Sequence, residues 1–178
     1  MRVIVIGGKA ESGKTTFGNY LKEILKDYGY KPCLMHITDP LYHYAEKYFD
    51  WNSNVDPKPR EFLQKMGIEV IQQKMGKRDF LLNRLYEDID VLSNFFDTFI
   101  ITDARLVHEF QSIKEKYDDV ISIKLLRNNR RYSLNEEEAN HITELDLDDY
   151  LDFDYIVLNR NLRGLYKDAL SIVRNEEK

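Results

Sequence analysis

The sequence predicts an α/β fold with a five-stranded parallel sheet and helices on both faces. Five apolar runs of strand length recur along the chain, at 3–6, 33–37, 99–102, 120–126 and 155–158. They are continuously apolar rather than alternating, which indicates strands buried on both faces. Helical patterns separate them, and strands that alternate with helices form parallel sheets through right-handed crossovers.

The composition is that of an ordinary globular protein. The 178 residues, 43% of them hydrophobic, suit one domain spanning 1–178. The net charge of -5 argues against a general binder of nucleic acid or membrane surfaces. No apolar run approaches the roughly 20 residues of a membrane helix. The single cysteine, Cys33, cannot form an internal disulfide, which suits a reducing compartment. We therefore expect a cytoplasmic protein, and the sequence leaves open whether it forms a homodimer.

The helical patterns divide into a first helix, an inserted block and a C-terminal region. After the first strand, Phe17, Leu21 and Leu25 fall on one helical face. The interval between the second and third strands predicts three helices, at about 40–49, 60–75 and 78–93, with a proline-containing break at 56–59. A helical block of this size, about 40–95, is typical of a substrate-binding insertion.

The stretch GKAESGKT, residues 8–15, lies between the first strand and the first helix and fits G-x-x-x-x-G-K-[ST]. Such a loop turns backbone amides toward phosphate oxygens, its lysine reaches the outer phosphates, and its threonine binds Mg²⁺. The stretch predicts the three-layer P-loop NTPase fold and binding of a nucleoside triphosphate with Mg²⁺. The residues expected to hold the nucleotide are Gly8, Ser12, Gly13, Lys14, Thr15 and Thr16.

Acidic and basic residues follow the predicted strands, where parallel sheets place their sites. Asp39 follows the second strand and is a candidate for orienting or deprotonating an acceptor; the alternative is an N-cap before Pro40. Asp103 follows the third strand and is a candidate for holding Mg²⁺ through water; the alternative is a cap of the next helix. The guanine-reading Asn-Lys-x-Asp of GTPases does not occur, and a small chain with an insertion and scattered arginines favours a kinase.

Further pieces occur in a characteristic order: Asp39-Pro40-Leu41, the stretch 60–69 (REFLQKMGIE), Asp103-Ala104-Arg105 with Glu109, His141-Ile142-Thr143-Glu144, and Asn159 after the last strand. With the P-loop, they make the chain resemble the deoxynucleoside monophosphate kinases of bacteria and viruses, and more distantly the phosphomevalonate kinases. The resemblance runs nearly end to end. The chain departs from it at three places: Tyr42 replaces a usual lysine, Asp118-Asp119 replaces a glycine pair, and Asn161 replaces a glycine.

The resemblance implies a role for each matched residue. Arg60 and Arg105 would grip the acceptor phosphate, and Gln64, one turn from Arg60, would read a base edge. Arg127, with Arg131 in the same basic cluster, would cover the transferring phosphoryl group from a lid at about 127–150; the alternative for the cluster is a solvated loop. His141 and Glu144 would anchor that lid near the acceptor, and Asn159 would contact the nucleotide. Lys14, Asp39, Arg105 and Arg131 would form the catalytic set.

The predicted activity is that of a nucleoside-monophosphate kinase, which transfers the γ-phosphoryl group of ATP to a (deoxy)nucleoside 5′-monophosphate. Two alternatives stay open at this point: a kinase for a non-nucleotide phosphate such as phosphomevalonate, and a P-loop regulatory protein that binds nucleotide.

Overall fold

The computed structural model describes residues 1–127 and 136–177 and contains one five-stranded sheet. All pairings are parallel, and the strands lie in the order β2-β3-β1-β4-β5. The strands are β1 (Arg2–Gly7), β2 (Pro32–Met35), β3 (Thr98–Ala104), β4 (Val120–Leu126) and β5 (Tyr155–Leu158). The predicted five-stranded parallel sheet is therefore confirmed.

Eight α-helices occur in the described ranges. They are α1 (Lys14–Asp27), α2 (Asp39–Tyr48), α3 (Arg60–Gln64), α4 (Phe80–Leu92), α5 (Val107–Lys116), α6 (Glu136–Ala139), α7 (Ile142–Leu145) and α8 (Leu162–Glu176). A π-helical segment, Lys65–Lys74, continues α3 without a break. No helix in this part of the chain is both long and apolar enough to cross a membrane.

The side chains of β1 alternate between two cores, one on each face of the sheet. Val3 and Val5 belong to the core that α4 and α5 complete, whereas Ile4 and Ile6 belong to the core under α1 and α8. All four side chains are at most 2% exposed. The central strand is thus covered by helices on both sides, which explains its continuous apolar sequence.

The inserted helical block shares the first of these cores. Leu41 of α2, Ile71 of the π-helical segment and Leu82 of α4 are buried in it together with Val3 and Val5. The block therefore packs on the sheet instead of forming a separate core.

Helix α1 lies unusually close to the sheet at Gly18. A Cβ atom on Gly18 would lie 2.4 Å from Cγ2 of Thr102 on β3, closer than real Cβ atoms approach a neighbour. Because α1 begins at the P-loop, this close contact also bears on how far the loop lies from the sheet.

We predict that Gly18→Ala destabilises the protein although alanine favours helix formation. Overpacking a close contact costs roughly 1–3 kcal/mol, which exceeds the gain of about 1 kcal/mol from helix propensity. The measurement is the free energy of unfolding in urea. Gly164→Ala in α8 is the matched control, because its Cβ would meet only Asn161 Oδ1 at an ordinary 3.5 Å. An equal stabilisation of both variants would contradict the close contact.

Candidate active site

The loop between β1 and α1 depends on glycine at two positions. Gly8 and Gly13 have φ angles of 136° and 101°, a region that side chains disfavour. Neither position has room for a Cβ, which would lie 2.3 Å from the Leu125 carbonyl oxygen or 2.5 Å from Asn159 Nδ2. Gly13 directly precedes α1, so the loop ends at a helix N-terminus whose amides favour an anion.

Lys14 is buried within this loop. Its Nζ donates hydrogen bonds to the carbonyl oxygens of Gly8 and Lys9, both at 2.7 Å. Burial and the positive charge of Arg105 hold the pKa of Lys14 well below its ordinary value. A phosphate beside Lys14 would favour its charged form, since a nearby anion raises the pKa of an ammonium.

Two further polar groups bear on how the loop would accept a phosphate. The Ser12 hydroxyl is fully buried and has no hydrogen-bond partner within the described chain. Asn159, which follows β5, donates from Nδ2 to the Ser12 carbonyl oxygen at 2.8 Å. Asn159 therefore braces the loop; direct contact with nucleotide stays a prediction.

The loop opens on a cavity of about 760 Å³ at the carboxyl ends of β1, β2 and β3. Most of the predicted site residues line it: Gly13, Lys14, Thr15, Thr16, Asp39, Arg60, Gln64, Asp103, Arg105, Arg127 and Glu144. Gly8, Ser12, Asn159 and His141 lie outside its lining. Arg131 lies outside the described residues. Because residues from across the chain meet here, the cavity brings the expected donor and acceptor groups together.

Asp39 does not cap α2, contrary to the alternative interpretation. It is the first residue of the helix, and its carboxylate contacts His36 instead, accepting from the backbone N at 3.1 Å and lying 3.2 Å from Nδ1. The hydrogen bond from Asp39 raises the pKa of His36 despite partial burial. The Asp39 side chain is 58% exposed and lines the cavity, so it remains accessible to an acceptor.

Asp103 joins β3 to the loop after β2 and does not cap α5. Its Oδ1 accepts from Ile37 N at 2.8 Å, and its Oδ2 accepts from Thr38 N and Oγ1 at 3.0 and 2.6 Å. With both oxygens engaged, this carboxylate suits contact with Mg²⁺ through water. Mg²⁺ keeps several waters and needs only one or two protein ligands beside phosphate, so exposed Thr15 and Asp103 fit the predicted metal site.

Arg105 is tied to the opposite wall by a buried carboxylate. Glu144 of α7 forms an ion pair with Arg105 through Oε1 and accepts from the P-loop amide of Ala10 through Oε2, at 2.8 Å. An arginine has five N–H donors, so others remain for a phosphate. Both carboxylate oxygens of Glu144 bind protein groups. Glu144 therefore links the P-loop, the end of β3 and the lid.

The other predicted acceptor residues make contacts across the cavity. Arg60 pairs with Glu11 of the P-loop at 2.9 Å, and Arg127 donates to the Glu11 carbonyl oxygen at 3.0 Å. Gln64 Nε2 donates to Thr143 Oγ1 at 3.3 Å. His141 Nδ1 lies 2.9 Å from the same hydroxyl, so the inserted block and the lid meet at Thr143.

Residues that were not predicted as site members also reach the cavity: Glu11, His36, Lys58 and Glu109. Glu109 is buried, and its Oε2 accepts from the amides of Arg105 and Leu106 at 2.7 and 2.9 Å, which caps α5. Burial raises the pKa of Glu109 to about 7 despite these hydrogen bonds. The sequence motif around Asp103 pointed to Glu109, but nothing local to Lys58 distinguishes it from other surface lysines.

Comparison with known proteins shows the fold. No family model and no curated protein sequence matches the chain. APS kinase from Mycobacterium tuberculosis, in complex with AMPPNP and APS, is 12% identical with a TM-score of 0.62, covering 99% of this chain and 98% of its own. A gluconokinase from Sinorhizobium meliloti 1021 is 17% identical with a TM-score of 0.57, covering 99% and 94%. Shikimate kinase from Bacteroides thetaiotaomicron is 16% identical with a TM-score of 0.57, covering 98% and 97%. The protein has the fold of these P-loop kinases.

We predict that Glu109→Gln changes the pH dependence of stability. A carboxyl whose pKa is higher in the folded than in the unfolded state costs stability as the pH rises from about 4.5 to about 7. One pKa unit corresponds to about 1.4 kcal/mol. The free energy of unfolding of the variant, relative to that of the wild type, should therefore increase by up to about 3 kcal/mol as the pH rises over that range. Chemical denaturation at several pH values measures this.

The exposed Glu115→Gln on the same helix is the matched control, for which the difference from wild type should stay constant. If the difference in free energy of unfolding between Glu109→Gln and wild type does not change with pH, the raised pKa of Glu109 is contradicted.

Proposed function

We propose that the protein is an ATP- and Mg²⁺-dependent kinase that phosphorylates a nucleoside 5′-monophosphate to the diphosphate. The observation that carries this proposal is the shared cavity: Lys14 of the glycine-rich loop lines it together with Arg60 and Arg105. Two anionic groups have to be brought together for phosphoryl transfer, and cations on both sides lower that electrostatic cost.

The chain supplies a group for each part of the reaction. The P-loop amides and Lys14 would hold the β- and γ-phosphates, while Thr15 and Asp103 would hold Mg²⁺, which neutralises developing charge when bound. Arg60 and Arg105 would position the acceptor phosphate, one of whose oxygens attacks the γ-phosphorus as the bond to the β-phosphate oxygen breaks and ADP leaves. Asp39 would accept a hydrogen bond from the acceptor.

The acceptor end of the cavity has features that suit a nucleoside. Leu63, Ile68 and Leu81 give it an apolar wall, and Gln64 and Gln72 lie beside them, a pairing that fits a base with polar edges. The neighbours named for gluconate and shikimate support a second candidate, a kinase for a small hydroxyl acid on the same fold.

An acceptor panel tests the proposal. ADP release from ATP is measured with each ribo- and deoxyribonucleoside monophosphate, with phosphomevalonate, gluconate and shikimate, and without acceptor. The proposal expects fast turnover with at least one nucleoside monophosphate and slow turnover without acceptor. Preference for another compound, or turnover that needs no acceptor, would overturn it.

Lys14→Ala is expected to lower kcat by at least about 100-fold, because it removes a preorganised charge next to the transferring phosphoryl group. The assay is turnover with the best acceptor of the panel. Lys26→Ala, at the exposed end of the same helix, is the control and should behave as wild type. Near-normal turnover by a folded Lys14→Ala protein would contradict the P-loop assignment.

Asp39→Asn is expected to lower kcat by about 100-fold or more while the KM for ATP stays within about threefold, because the change acts on the acceptor alone. The asparagine oxygen still accepts from His36 N, so the melting temperature should barely move. Glu46→Gln, exposed on the same helix, is the control. Unchanged turnover in the asparagine variant would show that Asp39 has no part in handling the acceptor.

A further inference from the structure

The break between α2 and α3 ends in a tight turn that directs two cations into the cavity. Arg60 N donates to the Lys58 carbonyl oxygen at 2.9 Å, across Pro59 with φ -82° and ψ 64°. These values define an inverse γ-turn, whose ring of only three residues fixes the flanking residues closely. Lys58 and Arg60 both line the cavity.

Aromatic side chains hold Lys58 in place. Trp51 Nε1 donates to the carbonyl oxygen of Pro57, next to Lys58, at 2.9 Å. The Trp51 ring lies 5.6 Å from the Tyr42 ring, and Lys58 Nζ lies 5.5 Å from the centre of the Tyr42 ring. That distance is within the range of a cation–π contact. The ammonium therefore has a defined and partly desolvated position in the cavity, although the residue as a whole keeps an exposed surface.

Lys58 lines the cavity with two other cations, Arg60 and Arg105, and has no carboxylate partner among the described residues. No carboxylate oxygen of the described chain lies within 4.0 Å of its Nζ. Desolvation, Arg105 and Arg60 lower the pKa of Lys58, and Asp103 only partly opposes them. Asp103, the carboxylate that acts on Lys58, is itself engaged by the loop after β2. A held ammonium among like charges is a site that an anion would stabilise.

We propose that Lys58 is a specificity-determining residue that, with Arg60 and Arg105, forms a three-cation subsite for the phosphate of a phosphorylated acceptor. This inference rests on the proposed function and deepens it, because it states why the acceptor has to carry a phosphate. An unphosphorylated acceptor of the same shape would leave the Lys58 ammonium without an anion, whereas Arg60 and Arg105 keep their contacts with Glu11 and Glu144.

The test compares Lys58→Met with wild type for the best-bound nucleoside monophosphate of the panel and for its unphosphorylated nucleoside. Dissociation constants are measured by calorimetry, and KM and kcat by ADP release. A charge-assisted contact contributes roughly 1.5–3 kcal/mol, so the variant should bind the monophosphate about 10- to 150-fold more weakly. Nucleoside binding and the KM for ATP should stay within about threefold.

Lys65→Met is the matched control, because Lys65 is exposed on the adjoining π-helical segment and does not line the cavity. It should leave all constants at the wild-type values. Lys58→Arg, which keeps the charge, should recover part of the lost affinity for the monophosphate.

Each other outcome decides the proposal. Equal loss of monophosphate and nucleoside binding would show that Lys58 only supports Tyr42, and no loss of either would show that it contacts no acceptor; both overturn the inference. If the wild type binds monophosphates without turnover, the proposed function fails, while the binding comparison still decides the role of Lys58. If it binds no monophosphate, both proposals fall.

Discussion

The buried carboxylate of Glu144 is the interaction on which the site depends. It joins a P-loop amide at Ala10 to the guanidinium of Arg105, although the three residues lie on the P-loop, at the end of β3 and on α7. Glu144 is only 6% exposed, and removing one partner of a buried ion pair costs roughly 3–5 kcal/mol. The P-loop, the end of β3 and α7 are therefore held at a common point.

Asp103 has a similar function on the other side of the cavity. Its three hydrogen bonds fix the loop after β2, which carries His36 and leads into Asp39. Asp103 and Glu144 are engaged by half-buried or buried contacts, which fix the loop after β2 and the Arg105 guanidinium, whereas Arg60 is held by an exposed pair with Glu11. Such preorganisation is what an electrostatic site requires, since its groups must not reorganise during the reaction.

The charges of the site favour the binding of an anion over that of a cation. Lys14 and Lys58 both have lowered pKa values, and in both cases Arg105 contributes to the shift after burial. Bringing these cations together costs free energy in the protein alone, and phosphate groups would offset that cost. The net charge of the whole chain is -5, so this preference is a local property of the cavity and does not extend to the protein surface.

The sequence by itself determined the elements and the P-loop, because helix and strand periodicity and the glycine spacing of GKAESGKT are local patterns. It also predicted most of the cavity lining, through short motifs at strand ends. Only the tertiary structure decided the strand order, the contact by which Asn159 braces the loop, and the link that Glu144 makes between the P-loop and Arg105. It also decided that Lys58 and Glu109 reach the cavity. Glu144 and Ala10 are 134 residues apart, and the pKa of Glu109 is raised to about 7 mainly because the folded chain buries its carboxyl. Contacts and desolvation of this kind arise when distant segments pack together, and no local pattern encodes them.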